Sequence, residues 1–405
     1  MLSSVLLRAS VLVLGLLPQT VITAPVTDKT EILISKVKAR LAEMDLLSWE
    51  IGTYTQALLE LDAPEYSTLT AKSLPLPRHI SPSIQPVLQI VKNVIAQNRN
   101  TSIEGPQPIM PDGSAGDPAS IGPAVLLAEW TKQSDDSVPY LQVAEDEINY
   151  LFSDAVPKTT DGAISHRVAQ LQLWNDNMYM LPPFFAQYGV QTQNVTMIEA
   201  AYKQISTYRS YCLDLLDGGL WKHVVLGGSE TPIDLKHWAT GLGWVTAGLL
   251  RVWSTVAKSE FADQFAQQQN DLMEWVKDIH EAVWPFLPAE THVFTNYVDI
   301  PAGTTNDSFP DAASGTLLAA TAYRLSVLTD EHKYVAQAEK IRKTLFTPLK
   351  NGTYLHFSED GWLQPVVDPH WYSRAGEKSA EGQAFVLMMH AAHRDWVNAG
   401  RKGDY

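Results

Sequence analysis

The run His166-Arg167-Val168-Ala169-Gln170-Leu171-Gln172-Leu173-Trp174-Asn175-Asp176-Asn177-Met178-Tyr179-Met180-Leu181-Pro182-Pro183-Phe184 is the densest collection of chemically capable residues in the chain. It sets one carboxylate, Asp176, among aromatic side chains at the expected start of a helix. A carboxyl in a partly apolar pocket has its proton affinity raised, as a general acid working near neutral pH requires. Asn175 and Asp176 are equally suited to cap that helix, because their side-chain oxygens accept from its first free N–H groups. Spacing alone leaves both readings open.

Outward from this run, apolar residues recur at intervals of three and four between Gly, Pro, Asn and Asp punctuation, the pattern of amphipathic helices joined by loops. Helices are expected over 29–44, 46–60, 81–97, 120–132, 138–152, 174–187, 194–216, 236–257, 260–283, 312–328, 331–346 and 379–397. Strand-like alternation is scarce, with one short hairpin strand expected at Gly352-Thr353-Tyr354-Leu355-His356-Phe357. Such a set builds a solenoid, stacked bundles or six helical hairpins closed into a ring, and periodicity does not choose among them. No tetratricopeptide- or armadillo-type repeat recurs, which weighs against the solenoid. Three long loops, 100–119, 286–310 and 347–378, carry Pro, Gly, Asp and aromatic residues, and long loops on a rigid scaffold are where sites tend to form.

Of the 405 residues, 45% are hydrophobic and 19% charged, enough apolar surface for a large core and no case for disorder. A net charge of -15 without any Lys/Arg-rich run argues against nucleic acid or an anionic membrane surface as the main partner. Arg8, the apolar Val11-Leu12-Val13-Leu14-Gly15-Leu16-Leu17 and the small Ala24 read as a secretory signal over 1–24, too short to span a membrane. Residues 25–405 are then expected to form a single exported domain. Sequons at Asn100, Asn194, Asn306 and Asn351 agree with export. The single cysteine, Cys212, has no internal disulfide partner and is expected as a buried, inert thiol.

A second cluster, His237-Trp238-Ala239-Thr240-Gly241-Leu242-Gly243-Trp244, opens another expected helix. Indole faces stack on sugar rings and glycines admit a ligand close to the backbone, so the cluster reads as a glycan subsite; the alternative is tight helix packing with both tryptophans in the core. Asp117, Asp311 and Glu381 each precede an expected helix, where capping and compensation of the helix dipole also explain a carboxylate. His-Glu-x-x-His, paired Cys-x-x-Cys, Gly-x-Ser-x-Gly and the Gly-rich phosphate loop are absent, so neither a metal nor a nucleotide cofactor is implied.

Trp174-Asn175-Asp176-Asn177-Met178-Tyr179-Met180 followed by Pro183-Phe184-Phe185 resembles the unsaturated glucuronyl and rhamnogalacturonyl hydrolases of glycoside hydrolase families 88 and 105. His166 upstream, the Trp238 to Trp244 turn and Ala313-Ser314-Gly315-Thr316 agree in order. The C-terminal Ser379 to Phe385 and His390 to Trp396 segments look like a fungal secreted branch of the six-hairpin proteins. The resemblance implies an all-α fold, the (α/α)6 barrel, and an oligosaccharide substrate. Through it, Asp176 looks like the catalytic acid/base and Asp117 like a second pocket carboxylate. His166 and Trp174 look like residues of the uronate subsite, and Trp238 and Trp244 like stacking positions. One departure stands out: the family turn reads Trp-x-Arg-x-x-x-Trp, and Thr240 occupies the arginine position. Threonine offers a hydroxyl and no charge, leaving His237 or Arg167 as candidates to supply it.

The implied reaction is hydration of the C4=C5 vinyl ether that a polysaccharide lyase leaves on a terminal uronyl residue of pectin-derived oligosaccharides. Two alternatives stay open: a conventional two-carboxylate glycosidase on the same barrel, and a secreted glycan-binding protein without turnover.

Overall fold

In the computed structural model, which describes residues 28–131, 138–228 and 232–403, the helices are laid down in pairs. α1 (Lys29–Ala42) leads into α2 (Ser48–Asp62), and α3 (Gln85–Asn98) into α4 (Gly122–Trp130). α5 (Tyr140–Phe152) is followed by strand β1 (Leu173–Trp174), the single turn α6 (Asn177–Met180) and then α7 (Pro182–Thr192). α8 (Val195–Cys212), strand β2 (Val224–Val225) and α9 (Ala239–Ala257) come next, then α10 (Ala266–Val283) and α11 (Ala312–Thr329). α12 (Val335–Phe346), the strands β3 (Val366–Asp368) and β4 (Trp371–Gly376), and α13 (Ala380–Asn398) complete the described chain. The expected signal segment 1–24 lies outside the described residues.

Packing closes the pairs into a ring. α2 packs on α4, α4 on α7, α7 on α9, α9 on α11, α11 on α13, and α13 returns to α2; α1, α3, α5, α8, α10 and α12 lie outside them. This is the six-hairpin helical barrel. Sequence dictates which helix goes where. Inner α9 is apolar or small almost all round and buries nearly every residue, whereas outer α10 buries only Leu272, Met273, Val276, Ile279, His280 and Val283, a one-sided stripe. Asn194, Asp311 and Ser379 cap α8, α11 and α13 through their side-chain oxygens. Cys212 is buried and free, as expected, and burial pushes its thiol up.

Two expectations are corrected. The helix expected over 174–187 is broken: β1 pairs with β2 (Leu173 opposite Val225, Trp174 opposite Val224), and a new helix begins at Pro182. Proline has no N–H to continue a helical ladder and favours the first turn of a new one. Of the hairpin strand expected at 352–357, the first part is a turn, with Leu349 N–H donating to the Thr353 carbonyl and Gly352 at φ 85°, and only its end pairs, Phe357 bridging Leu363 and the His356 carbonyl accepting from Gln364 N–H at 3.0 Å. The longer hairpin of this loop is β3–β4.

Candidate active site

A cavity of about 690 Å³ opens at the end of the ring where the inner helices begin. Leu47 and Trp49 come from the start of α2, Asp117 from the turn before α4, and Asp176 and Met180 from the turn before α7. Trp238 and Trp244 come from the start of α9, and Glu381 from that of α13. Helix N-termini carry unpaired N–H groups and partial positive charge. Five of them therefore face this space. The 347–378 loop supplies the outer wall, through His370, Trp371 and Tyr372 on its hairpin. A smaller groove of about 370 Å³, bounded by Arg78, Trp130 and Gln187, holds one carboxylate, Glu260; the larger cavity holds Asp112, Asp117, Asp176 and Glu381.

Backbone pairing brings Asp117 and Asp176 together. Ala115 N–H donates to the His166 carbonyl at 2.7 Å and Val168 N–H to the Gly113 carbonyl at 3.1 Å, so the Asp117 loop runs alongside His166 and Arg167. The β1–β2 pair, extended by Asn175 N–H on the His223 carbonyl at 2.8 Å, holds the start of α6. Gly116 permits the closure, since a Cβ there would lie 1.8 Å from Asn177 Oδ1. At Gly241 a Cβ would meet Asn175 Oδ1 at 2.4 Å, so α9 approaches the same turn only because that position is glycine.

Asp176 occupies the cap position of α6 without capping it. Its Oδ1 is buried and has no hydrogen-bond partner among the described residues. Burial pushes its carboxyl above the ordinary range, opposed by His223 and Arg167. Asp117 is pushed well above that range by burial and then by the charge of Asp176. Two buried carboxyls whose ionised forms repel retain a proton between them to higher pH than either would alone.

Trp174 is the hub of the aromatic wall. His166 stacks on it at 4.9 Å between centroids, the Arg167 guanidinium sits 4.6 Å over its ring, and His223 and Tyr372 meet it edge-on. Burial, followed by the Arg167 charge, holds His166 well below the usual imidazole range, so it is neutral. Arg167 is the one arginine or lysine among the described lining residues. Trp174, His166, Trp238 and Trp244 are all brought to the cavity. Trp244 is only 1% exposed and packs on Tyr179 and Phe385, making it floor; Trp371, 54% exposed, offers an open face.

His237 and Thr240, expected as substrate contacts, are not among the described residues lining the cavity. Thr240 is wholly buried, and its hydroxyl donates to Asp311 Oδ2 at 3.0 Å. The His237 ring turns to Asp299, Nδ1 to Oδ2 2.9 Å. Asp311 is a helix cap, accepting from Ala313 N–H and Ser314 N–H. Glu381 leaves capping of α13 to Ser379, accepts from the Trp49 indole at 2.5 Å, and has a bare buried Oε2.

Sequence reasoning missed His223. It is wholly buried, holds Asp234 through Nδ1 at 3.1 Å, and leaves Nε2 without a hydrogen-bond partner among the described residues, beside Trp174, Trp238 and Tyr372. The Tyr297 hydroxyl donates to the same oxygen, Asp234 Oδ2, at 2.7 Å. The one sequence signal was the aromatic and charged run Trp221-Lys222-His223 ahead of the Trp238 cluster.

An all-helical six-hairpin barrel with buried carboxyls in an aromatic cavity defines a class, the glycoside hydrolases of this fold. Residues 84–353, two thirds of the chain, match the Glycosyl Hydrolase Family 88 model, and the chain belongs to that family. Among solved structures it is similar to a possible glycoside hydrolase family 105 member from Salmonella enterica serovar Paratyphi A, at 16% identity over 93% of this chain and 96% of that one, TM-score 0.66. A possible member of the same family from Klebsiella pneumoniae gives 16% identity, 93% and 95% coverage and a TM-score of 0.67. An unsaturated glucuronyl hydrolase responsible for the degradation of glycosaminoglycan, from Bacillus sp. GL1, gives 13% identity, 90% and 95% coverage and a TM-score of 0.57. No curated protein matches the chain in sequence.

Proposed function

We propose that this hydrolase is exported and removes the terminal unsaturated uronic acid from rhamnogalacturonan-type, pectin-derived oligosaccharides, as a fungal secreted branch of the family. The observation that carries the reading is the bare, buried Oδ1 of Asp176, in an aromatic cavity beside a second carboxyl and ringed by helix N-termini. Those N-termini and Arg167 offer an anionic sugar positive partial and full charge inside a protein whose whole-chain charge is negative. All four sequon asparagines are exposed, which suits export.

In this reading Asp176, protonated, gives its proton to C4 of the vinyl ether as the C4=C5 pair forms the new C–H bond. Water adds to the cationic C5 and returns its proton to the Asp176 carboxylate. The hemiketal at C5 then opens and the neighbouring sugar leaves from C1. A uronate carboxylate entering the cavity raises the proton affinity of both aspartic acids further, so substrate itself favours the acid form. Trp371 and Trp49 give the sugar rings flat apolar contact.

A second reading, acid and base action by Asp176 and Asp117 on a saturated glycoside, is favoured by the presence of both carboxyls in one cavity. The two separate on lyase-generated unsaturated oligosaccharides. Loss of vinyl-ether ultraviolet absorbance with the parent protein and none with Asp176→Asn is expected. Turnover of saturated oligosaccharides alone moves the assignment to the two-carboxylate reaction. Binding without any turnover overturns both.

A further inference from the structure

His237, like Thr240, is a sequence-selected residue outside the cavity lining. Its side chain is only 5% exposed. Nδ1 is held by Asp299, and Nε2 is buried without a hydrogen-bond partner among the described residues. That nitrogen faces two carboxylates, lying 3.7 Å from Asp214 Oδ2 and 3.9 Å from Asp217 Oδ2, too far for hydrogen bonds. The three atoms all lie within 4.8 Å of one another. Ligands around a tetrahedral zinc with bonds of ~2.1 Å stand roughly 3.4 Å apart, so small side-chain shifts bring this set to bonding geometry.

We propose that Asp214, Asp217 and His237 form a structural zinc site, with water as the remaining ligand. Asp299 behind the imidazole is the carboxylate that fixes the tautomer and aims the other nitrogen at the ion. One imidazole with two carboxylates favours zinc over calcium or magnesium, which prefer an all-oxygen shell. The competitor is Lys222, whose ammonium lies 3.1 Å from Asp214 Oδ2 on a flexible, partly exposed stem; on metal binding it moves to solvent. An ion here joins the loop after α8, the loop containing Asp299 and the residue preceding Trp238, a wall of the cavity. In a chain with one cysteine it is the cross-link that a disulfide would otherwise provide.

The test uses the full, tag-free chain stripped with chelator, titrated calorimetrically with zinc chloride and melted with and without the ion. One zinc per chain and a raised unfolding temperature are expected, with no comparable effect of calcium. Asp217→Asn, at a half-exposed position that the fold tolerates, weakens binding at least about 10-fold, and Asp299→Asn by about 10- to 100-fold. Lys222→Met tightens it. Absence of stoichiometric zinc uptake, uptake unchanged in Asp217→Asn and Asp299→Asn, or calcium binding in its place overturns the proposal.

Discussion

Asp311 and Asp176 are both buried aspartates in front of a helix, and their surroundings are opposites. Asp311 accepts from the N–H groups of Ala313, Ser314 and Val367 and from the Thr240 hydroxyl. Asp176 has a bare oxygen and a cavity in front of it. Burial pushes both carboxyls upward, but at Asp311 four donors oppose it, whereas at Asp176 the opposition comes first from the charges of His223 and Arg167. The same residue type in the same local position is a structural anchor where its lone pairs are filled and, in the proposed reaction, a proton carrier where they are left open. An unfilled buried acceptor costs stability, and it persists here at the place where a substrate can fill it.

Substitutions at the two positions should therefore have opposite signatures. Asp176→Asn is expected to lower kcat on unsaturated oligosaccharide by ~10³-fold or more, with an unfolding temperature no lower than the parent's, since it removes an unpaired buried acid. A large drop in stability with activity retained would make Asp176 a structural residue and erase the contrast. Asp311→Ala should do the reverse, costing about 3 kcal/mol in denaturant unfolding as its donors lose their acceptor, with kcat per folded molecule largely unchanged.

Glu147 on α5 is an intermediate case, with one donor, Ile109 N–H at 2.6 Å, and a bare Oε1 away from the cavity. Burial lifts it to about 8. Because the folded value is raised, the folded protein holds a proton that the unfolded chain releases. Its contribution is complete below the ordinary glutamate range and is lost as pH rises through about 8. Glu147→Gln should match the parent near pH ~4 and be more stable by about 4 kcal/mol at pH ~8, read from unfolding curves at both pH values. No pH-dependent gap would mean the carboxylate is better solvated than its burial indicates. The smallest effect is expected at the rim. Trp371→Ala should raise KM about 5- to 10-fold, on the order of 1 kcal/mol of lost stacking, without moving kcat or the unfolding temperature; a kcat effect would place Trp371 nearer the reacting bond than the wall.

Much of the helical pattern was legible, because alternating outer and inner helices differ in how much of their circumference is apolar, as α10 and α9 show. The break at Pro182 is written in the residues as well, but the apolar period runs through it and masks it. His223 was not legible: a lone histidine gives no sign of the tryptophans that come from other hairpins to surround it.

By itself the sequence determined an all-helical chain, an acidic protein with a dense Trp174-x-Asp176 turn, and the candidates Asp117, His166 and Trp238. Only the tertiary structure decided that Asp176 keeps a bare oxygen while Asp311 is saturated, that the Thr240 hydroxyl is spent on Asp311, and that His237 looks toward Asp214 and Asp217. Helical period and capping are local, set within a few residues along the chain. Whether a buried polar atom finds a partner depends on side chains from other hairpins, and those meet only when the ring closes.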